Sequence, residues 1–208
     1  MISPLASNSK RNQTVPPIPP PALAATHVDF RYARGLEMYR HVKKGPSADE
    51  PDVLVLQEIK QLTEKFPAEA LGEIGYRSLA SGQKTYNGVA VISKAAPAEP
   101  VFEFPGFDDP QRRVLATTID GVRVVNLYVP NGSEVGSEKY DYKLRWVASL
   151  RDFLAAELEV HDKLVVLGDF NIAPAPEDVH DPVAWEGRVL FSEPEREAFR
   201  RLIDAGTC

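Results

Sequence analysis

Residues 114–129 read VLATTIDGVRVVNLYV, and this stretch decides the fold. Two β-branched runs, Val114–Ile119 and Val122–Val129, flank Asp120-Gly121. Asp-Gly between such runs is the strongest short hairpin signal, because a two-residue type I′ turn needs positive φ at both central positions. In the second run Val122, Val124, Asn126 and Tyr128 share one face of the strand. Working outward, Asp52–Leu56 and Gly88–Ser93 are too apolar to be half-exposed and read as buried strands. Leu164–Leu167 reads the same way and ends at Gly168-Asp169. Residues 143–159 form an amphipathic helix, with Val147, Leu150, Leu154 and Leu158 spaced by three and four. A last helix opens on a capping box, Ser192 and Glu195, and closes at Gly206. Strands and helices mix without strict βαβ alternation, which predicts an α/β protein with a mixed sheet arrangement and not a doubly wound fold.

The totals bound the function. A chain of 208 residues, 43% hydrophobic and 26% charged, suits one globular domain with a real core. A net charge of −6 argues against a sequence-independent nucleic-acid coat but not against an enzyme acting on nucleic acid. Such an enzyme needs carboxylates for a metal and only a local basic rim for phosphate. The one cysteine, Cys208, has no internal partner, which fits a reducing compartment. No apolar run approaches the roughly 20 residues of a membrane span, and the start has no signal-peptide core. The expected location is therefore the cytoplasm. Residues 1–50 form a Pro-rich segment, with Pro16, Pro17, Pro19, Pro20 and Pro21 nearly adjacent, and are expected to be disordered. Within it Leu36, Tyr39 and Val42 could mark a short helix.

Several strand ends carry chemistry. Gly168-Asp169-Phe170-Asn171 follows a buried strand, and a carboxylate and an amide two residues apart can aim oxygens at one spot. Oxygen-only donors suit a hard cation such as Mg²⁺. A strand-ending turn accounts for the same tetrapeptide. Glu58 follows Leu54-Val55-Leu56-Gln57 in the same manner, as a metal ligand or as a solvated strand end. Tyr128, ahead of Pro130-Asn131-Gly132, is either a phenol that touches phosphate or water, or an ordinary half-buried tyrosine. Lys84, Arg112, Arg113, Lys139, Lys143 and Arg145 form local basic groups. Lys139 and Lys143 stand at a helix start, the wrong end for the helix dipole, which a nearby phosphate or a solvated face would explain. His27, His41, His161 and His180 have no metal-ligand spacing, and the chain has no Walker loop, dinucleotide fingerprint or nucleophile elbow.

Six segments in order resemble the exonuclease III family of DNA-repair nucleases, within the exonuclease–endonuclease–phosphatase superfamily. They are Pro51–Glu58, Gly82–Ala90, Gln111–Arg113, Asn126–Gly132, Lys139–Leu144 and Gly168–Pro174. The resemblance implies a four-layer αββα sandwich of two mixed sheets, with the site where loops from both sheets meet. It implies Glu58, Asp169 and Asn171 around Mg²⁺, with Mn²⁺ as a substitute, and Tyr128, Asp169 and Asn171 as the catalytic groups. Lys84, Arg112, Arg113 and Lys143 would contact double-stranded DNA. The implied reaction is phosphodiester hydrolysis at a 3′ end or beside an abasic sugar, by a monomer.

The same resemblance leads one to expect a Trp- or Phe-Asn-x-Asn strand ahead of residue 51 and a closing Ser-Asp-His beyond Gly206, neither of which is read here. Residues 51–208 are thus expected to form a partial catalytic domain, incomplete at both ends and without the C-terminal strands, poorly stable and of little nuclease activity. Two further readings stand beside this one: a non-catalytic remnant that binds DNA or a protein, and a superfamily phosphoesterase with another substrate.

Overall fold

A computed structural model of the chain describes residues 51–205. The Pro-rich segment 1–50, the short helix around Leu36, Tyr39 and Val42, and the helix end at Gly206 lie outside the described residues. Among the described residues seven strands form two sheets. The first has the order β1 (Val53–Gln57), β3 (Val89–Ser93), β2 (Arg77–Ser81), antiparallel throughout. The second has the order β4 (Ala98–Val101), β5 (Val114–Ile119), β6 (Val122–Tyr128), β7 (Leu164–Asp169), and its last pair is parallel. The hairpin turn forms as expected: Asp120 has φ 49° and Gly121 has φ 77°, the two positive angles of a type I′ turn.

Strand alternation explains the layers. Val122, Val124 and Tyr128 face the first sheet and pack with Leu115, Val55, Val89 and Val91 in one cluster. Val125 and Leu127 face the other way, where they meet Trp146, Leu150 and Leu202. Those residues come from α2 (Glu138–Leu158) and α4 (Glu193–Ala205), which cover the second sheet. On the outer face of the first sheet, Leu71 of α1 (Ala68–Glu73) packs with Phe66, Tyr76 and Ile92. The result is helix, sheet, sheet, helix, the four-layer sandwich that the resemblance implies. A short α3 (Pro182–Trp185) lies in the loop before α4. No helix among the described residues is long and apolar enough to cross a membrane.

The amphipathic helix begins earlier than its apolar spacing indicates. Ser137 caps it by accepting the Tyr140 N–H at 3.2 Å, so Glu138 to Tyr142 are already helical. Val147, Leu150 and Leu154 are buried, and Leu158 is exposed at the last turn. Asn126 is the one inward residue of β6 with an amide. It is 0% exposed, accepts from Gln57 Nε2 at 2.6 Å, and donates to the Leu56 and Ala90 carbonyls, each at 2.9 Å. These bonds cross from one sheet to the other.

Candidate active site

The site lies where three strands end. Glu58 follows β1, and Tyr128 and Asp169 are the last residues of β6 and β7, paired with each other in the parallel register. The backbone must leave the strands sharply here. Glu58 and Asn171 turn out of them with φ 53° and 48°, an uncommon conformation for residues with a Cβ. Gly168 makes the close approach of β6 and β7 feasible. It has φ +135°, and a Cβ there would lie 2.0 Å from the Leu127 carbonyl oxygen.

Glu58 and Tyr128 meet across the sheets. The Tyr128 hydroxyl donates to Glu58 Oε1, and Glu58 Oε2 pairs with the Lys60 ammonium at 2.5 Å. The phenol is held well above its ordinary value of 10.0, first by burial and then by the hydrogen bond to Glu58 and that carboxylate's charge; the Arg113 guanidinium opposes this. Asp169 also raises it, so both carboxylates act on the phenol. Tyr128 is therefore a hydrogen-bond donor and not a base at neutral pH.

The third strand end is built as a turn. Asp169 Oδ1 accepts the Asn171 N–H at 2.9 Å, and Asn171 Nδ2 donates to the Val129 carbonyl at 2.9 Å. Asn131 Nδ2 reaches Asn171 Oδ1 at 3.4 Å. The turn reading of Gly168–Asn171 is what the structure shows, and this Asx turn orients the carboxylate and the amide.

The four basic residues divide into two pairs. Lys84 and Arg112 are exposed on neighbouring loops. The Arg112 N–H donates to Gln83 Oε1 at 2.8 Å, and the Asn87 amide links Gln83 to Gln111 with two 3.2 Å bonds. Arg113 and Lys143 must be corrected as DNA contacts. Arg113 is 9% exposed, lies over the Tyr128 ring with its guanidinium 4.7 Å from the centroid, and donates to Gln111 and to the Tyr128 carbonyl. Lys143 is fully buried and paired with Glu195. Burial lowers the Lys143 pKa, and the Glu195 hydrogen bond and charge oppose that shift. The cause of the discrepancy is distance in sequence: Glu195 lies 52 positions beyond Lys143.

Residues that reading of the sequence left out of the site are Lys60, Asn131 and the Gln83–Asn87–Gln111 amide group. Asn131 stands directly after the Tyr128-Val129-Pro130 strand end, and that position was the available signal. The amides carried none, since only the packed loops bring them together.

Among the described residues no three His, Cys, Asp or Glu side chains form a ready cluster for a metal. A hydrated hard cation requires less, one or two carboxylates with the remaining positions as water. Glu58 fits that role, because its Oε2 already accepts a cationic group, the Lys60 ammonium.

Known proteins resemble this chain in sequence and in fold. Exodeoxyribonuclease III of Haemophilus influenzae is 32% identical over 169 residues, which cover 76% of this chain and 63% of that protein. The solved structure of the 3′ phosphatase NExo from Neisseria bound to product DNA hairpin superposes with a TM-score of 0.78 at 46% identity, covering 82% of this chain and 65% of that one. An AP endonuclease from Archaeoglobus fulgidus superposes with a TM-score of 0.74 at 33% identity, covering 82% of this chain and 65% of its own. The chain thus spans about 63% of the length of the Haemophilus enzyme. With a match over residues 29–201, the chain belongs to the Endonuclease/Exonuclease/phosphatase family.

Proposed function

We propose that this site hydrolyses phosphoester bonds in double-stranded DNA, at 3′ ends or beside abasic sugars, with Mg²⁺ as cofactor and Mn²⁺ as a substitute. The observation that carries the reading is the contact of Glu58 with Tyr128, which joins the ends of β1 and β6 beside the Asp169–Asn171 turn. The names of the relatives agree with it: an exodeoxyribonuclease, a 3′ phosphatase and an AP endonuclease.

Glu58, with oxygens of Asp169 and Asn171, would hold the cation in this reading. When bound, the cation offsets negative charge on the phosphate and favours ionisation of water. The chain's own groups do the rest. Asp169 fixes Oδ1 on the Asn171 N–H, so Oδ2 is the oxygen that takes a proton from the attacking water. Asn171 supplies its second amide N–H to the phosphoryl oxygens, and Tyr128 turns its one hydroxyl proton from Glu58 to the same oxygens, where charge grows in the transition state. Tyr128 keeps its proton for this purpose because burial and Glu58 oppose its loss. Lys84 and Arg112 contact the DNA backbone, each neutralising phosphate charge. The protein acts as a monomer in the cytoplasm.

The test uses the whole chain with Mg²⁺ on three duplexes: one blunt, one ending in a 3′ phosphate and one with an abasic site. Nucleotide release, phosphate release or nicking is expected on at least one, reduced at least 100-fold by Asp169→Asn, roughly the loss of a proton-transfer group. Duplex binding without hydrolysis on all three would overturn the enzymatic reading and leave DNA binding as the function.

A further inference from the structure

We propose that Lys143 is a positioning residue, whose buried ammonium locks the Asn131 and Asn171 turns to each other and so aims the site's amides. This rests on the hydrolytic reading above for its functional consequence, but not for its geometry.

An ammonium has three N–H donors, and all three of Lys143 are used. They reach the Asn131 carbonyl at 3.1 Å, the Asn171 carbonyl at 2.5 Å and Glu195 Oε1. Lys143 and Glu195 are both 0% exposed. Glu195 is satisfied as well: it accepts from the Leu190 N–H at 3.0 Å, and from the Ser192 N–H and hydroxyl at 3.1 and 2.6 Å. Packing α2 against α4 does not require such a pair, because apolar side chains of similar volume serve equally well or better in a buried position. What an apolar side chain cannot do is hold two carbonyls.

Those carbonyls belong to the residues that matter. Asn171 has φ 48°, so its carbonyl has left the β7 ladder and takes the Lys143 ammonium instead. The N–H of the same residue, in the preceding peptide, holds Asp169 Oδ1 at 2.9 Å, so displacement of Asn171 also moves the carboxylate. The second turn closes onto the lysine stem: at Gly132, with φ +95°, a Cβ would lie 3.1 Å from Lys143 Cδ. The Asn131 and Asn171 side-chain amides also meet each other, at 3.4 Å. Lys143 thus ties together, through their carbonyls, two turns whose side-chain amides also meet. The long side chain that sequence reading assigned to DNA is spent instead on these two backbone carbonyls and Glu195.

The experiment compares the whole wild-type chain with K143M/E195Q, which removes both buried charges together, and with K143R, which keeps the charge but moves the donors. Two readouts are used, the ¹⁵N NMR signals of the Asn131 and Asn171 backbone and side-chain amides, and kcat and KM on the substrate that the wild type cleaves. The expected result for K143M/E195Q is a cooperative melt, unchanged signals in β1–β3, and displaced or broadened Asn131 and Asn171 signals. With it kcat falls about 100-fold, the scale of an ångström-sized misplacement, while KM stays within about threefold. K143R is expected to shift the same two residues and to lose less kcat. If the double variant does not fold, K143R decides by the same signals. Unchanged Asn131 and Asn171 signals in a folded variant would overturn the proposal, as would a raised KM at wild-type kcat. An inactive wild type would defeat the hydrolytic reading alone, because the NMR arm stands without turnover.

Discussion

Tyr128 donates its hydroxyl to Glu58 and carries the Arg113 guanidinium over its ring, so each part of the side chain has an assigned partner. Burial and the Glu58 carboxylate raise its pKa above 10.0, and the sign of the consequence follows. The folded state holds the phenolic proton to a higher pH than the unfolded chain does. Its contribution to stability is therefore complete below pH 10 and is lost as pH rises above it. Tyr142 adds to the same alkaline loss, since burial and its hydrogen bond to Asp109 raise it too. Tyr128→Phe is expected to lower kcat by roughly 100-fold, for one lost hydrogen-bond donor. The ratio of wild-type to variant rate should stay constant from about pH 6 to 9, because the phenol remains neutral throughout that range. Alkaline unfolding of the variant should be less steep above pH 10, in keeping with the removal of one titrating group. A rate ratio that changes tenfold across the neutral range would mean that a phenolate participates.

Glycine substitutions distinguish a close approach from a simple turn at the level of the strands. Gly168→Ala places a Cβ 2.0 Å from the Leu127 carbonyl, within the β6–β7 pair that carries Tyr128 and Asp169. Gly121→Ala keeps open space around the added methyl, with only the positive φ of 77° opposing it. The first is expected to destabilise the fold by about 3 kcal/mol or more through overpacking, the second by about 1 kcal/mol. Urea melts measure both; equal losses would show that the β6–β7 approach is not constrained. The hairpin and the buried strands were legible in the sequence, because β-branched runs around Asp120-Gly121 are a local signal. β2, reading RSLAS, and β4, reading AEPV, were not, since neither has an apolar alternation and each lies at a sheet edge. Among site residues, Glu58, Tyr128 and Asp169 were legible as polar residues on strand ends. Lys143 was legible as a cation near the site but not in its direction, which depends on a glutamate brought in by α4.

The two sheets each supply part of the candidate site, so the proposed hydrolysis depends on how firmly one is held against the other. Apolar contact between Val124, Leu115, Val55 and Val91 is non-directional and leaves sliding unopposed. Asn126 opposes it: from β6 it bonds Gln57 and the Leu56 carbonyl on β1, and the Ala90 carbonyl on β3. Gln57 is adjacent to Glu58, as Asn126 is two residues from Tyr128, so the staple sits immediately beneath the Glu58–Tyr128 contact. Asn126→Ala is expected to cost about 2–4 kcal/mol, because it leaves buried carbonyls and an amide without partners. Val124→Ala, on the same inner face, is the control; it opens a cavity worth about 1–3 kcal/mol without orphaning a polar group. At a temperature where both variants are fully folded, Asn126→Ala should have lost at least 10-fold more kcat than Val124→Ala, the scale expected for loss of register between groups that act together. Equal kcat for the two would mean that apolar packing alone sets the register of the sheets, and that the buried amide serves stability only.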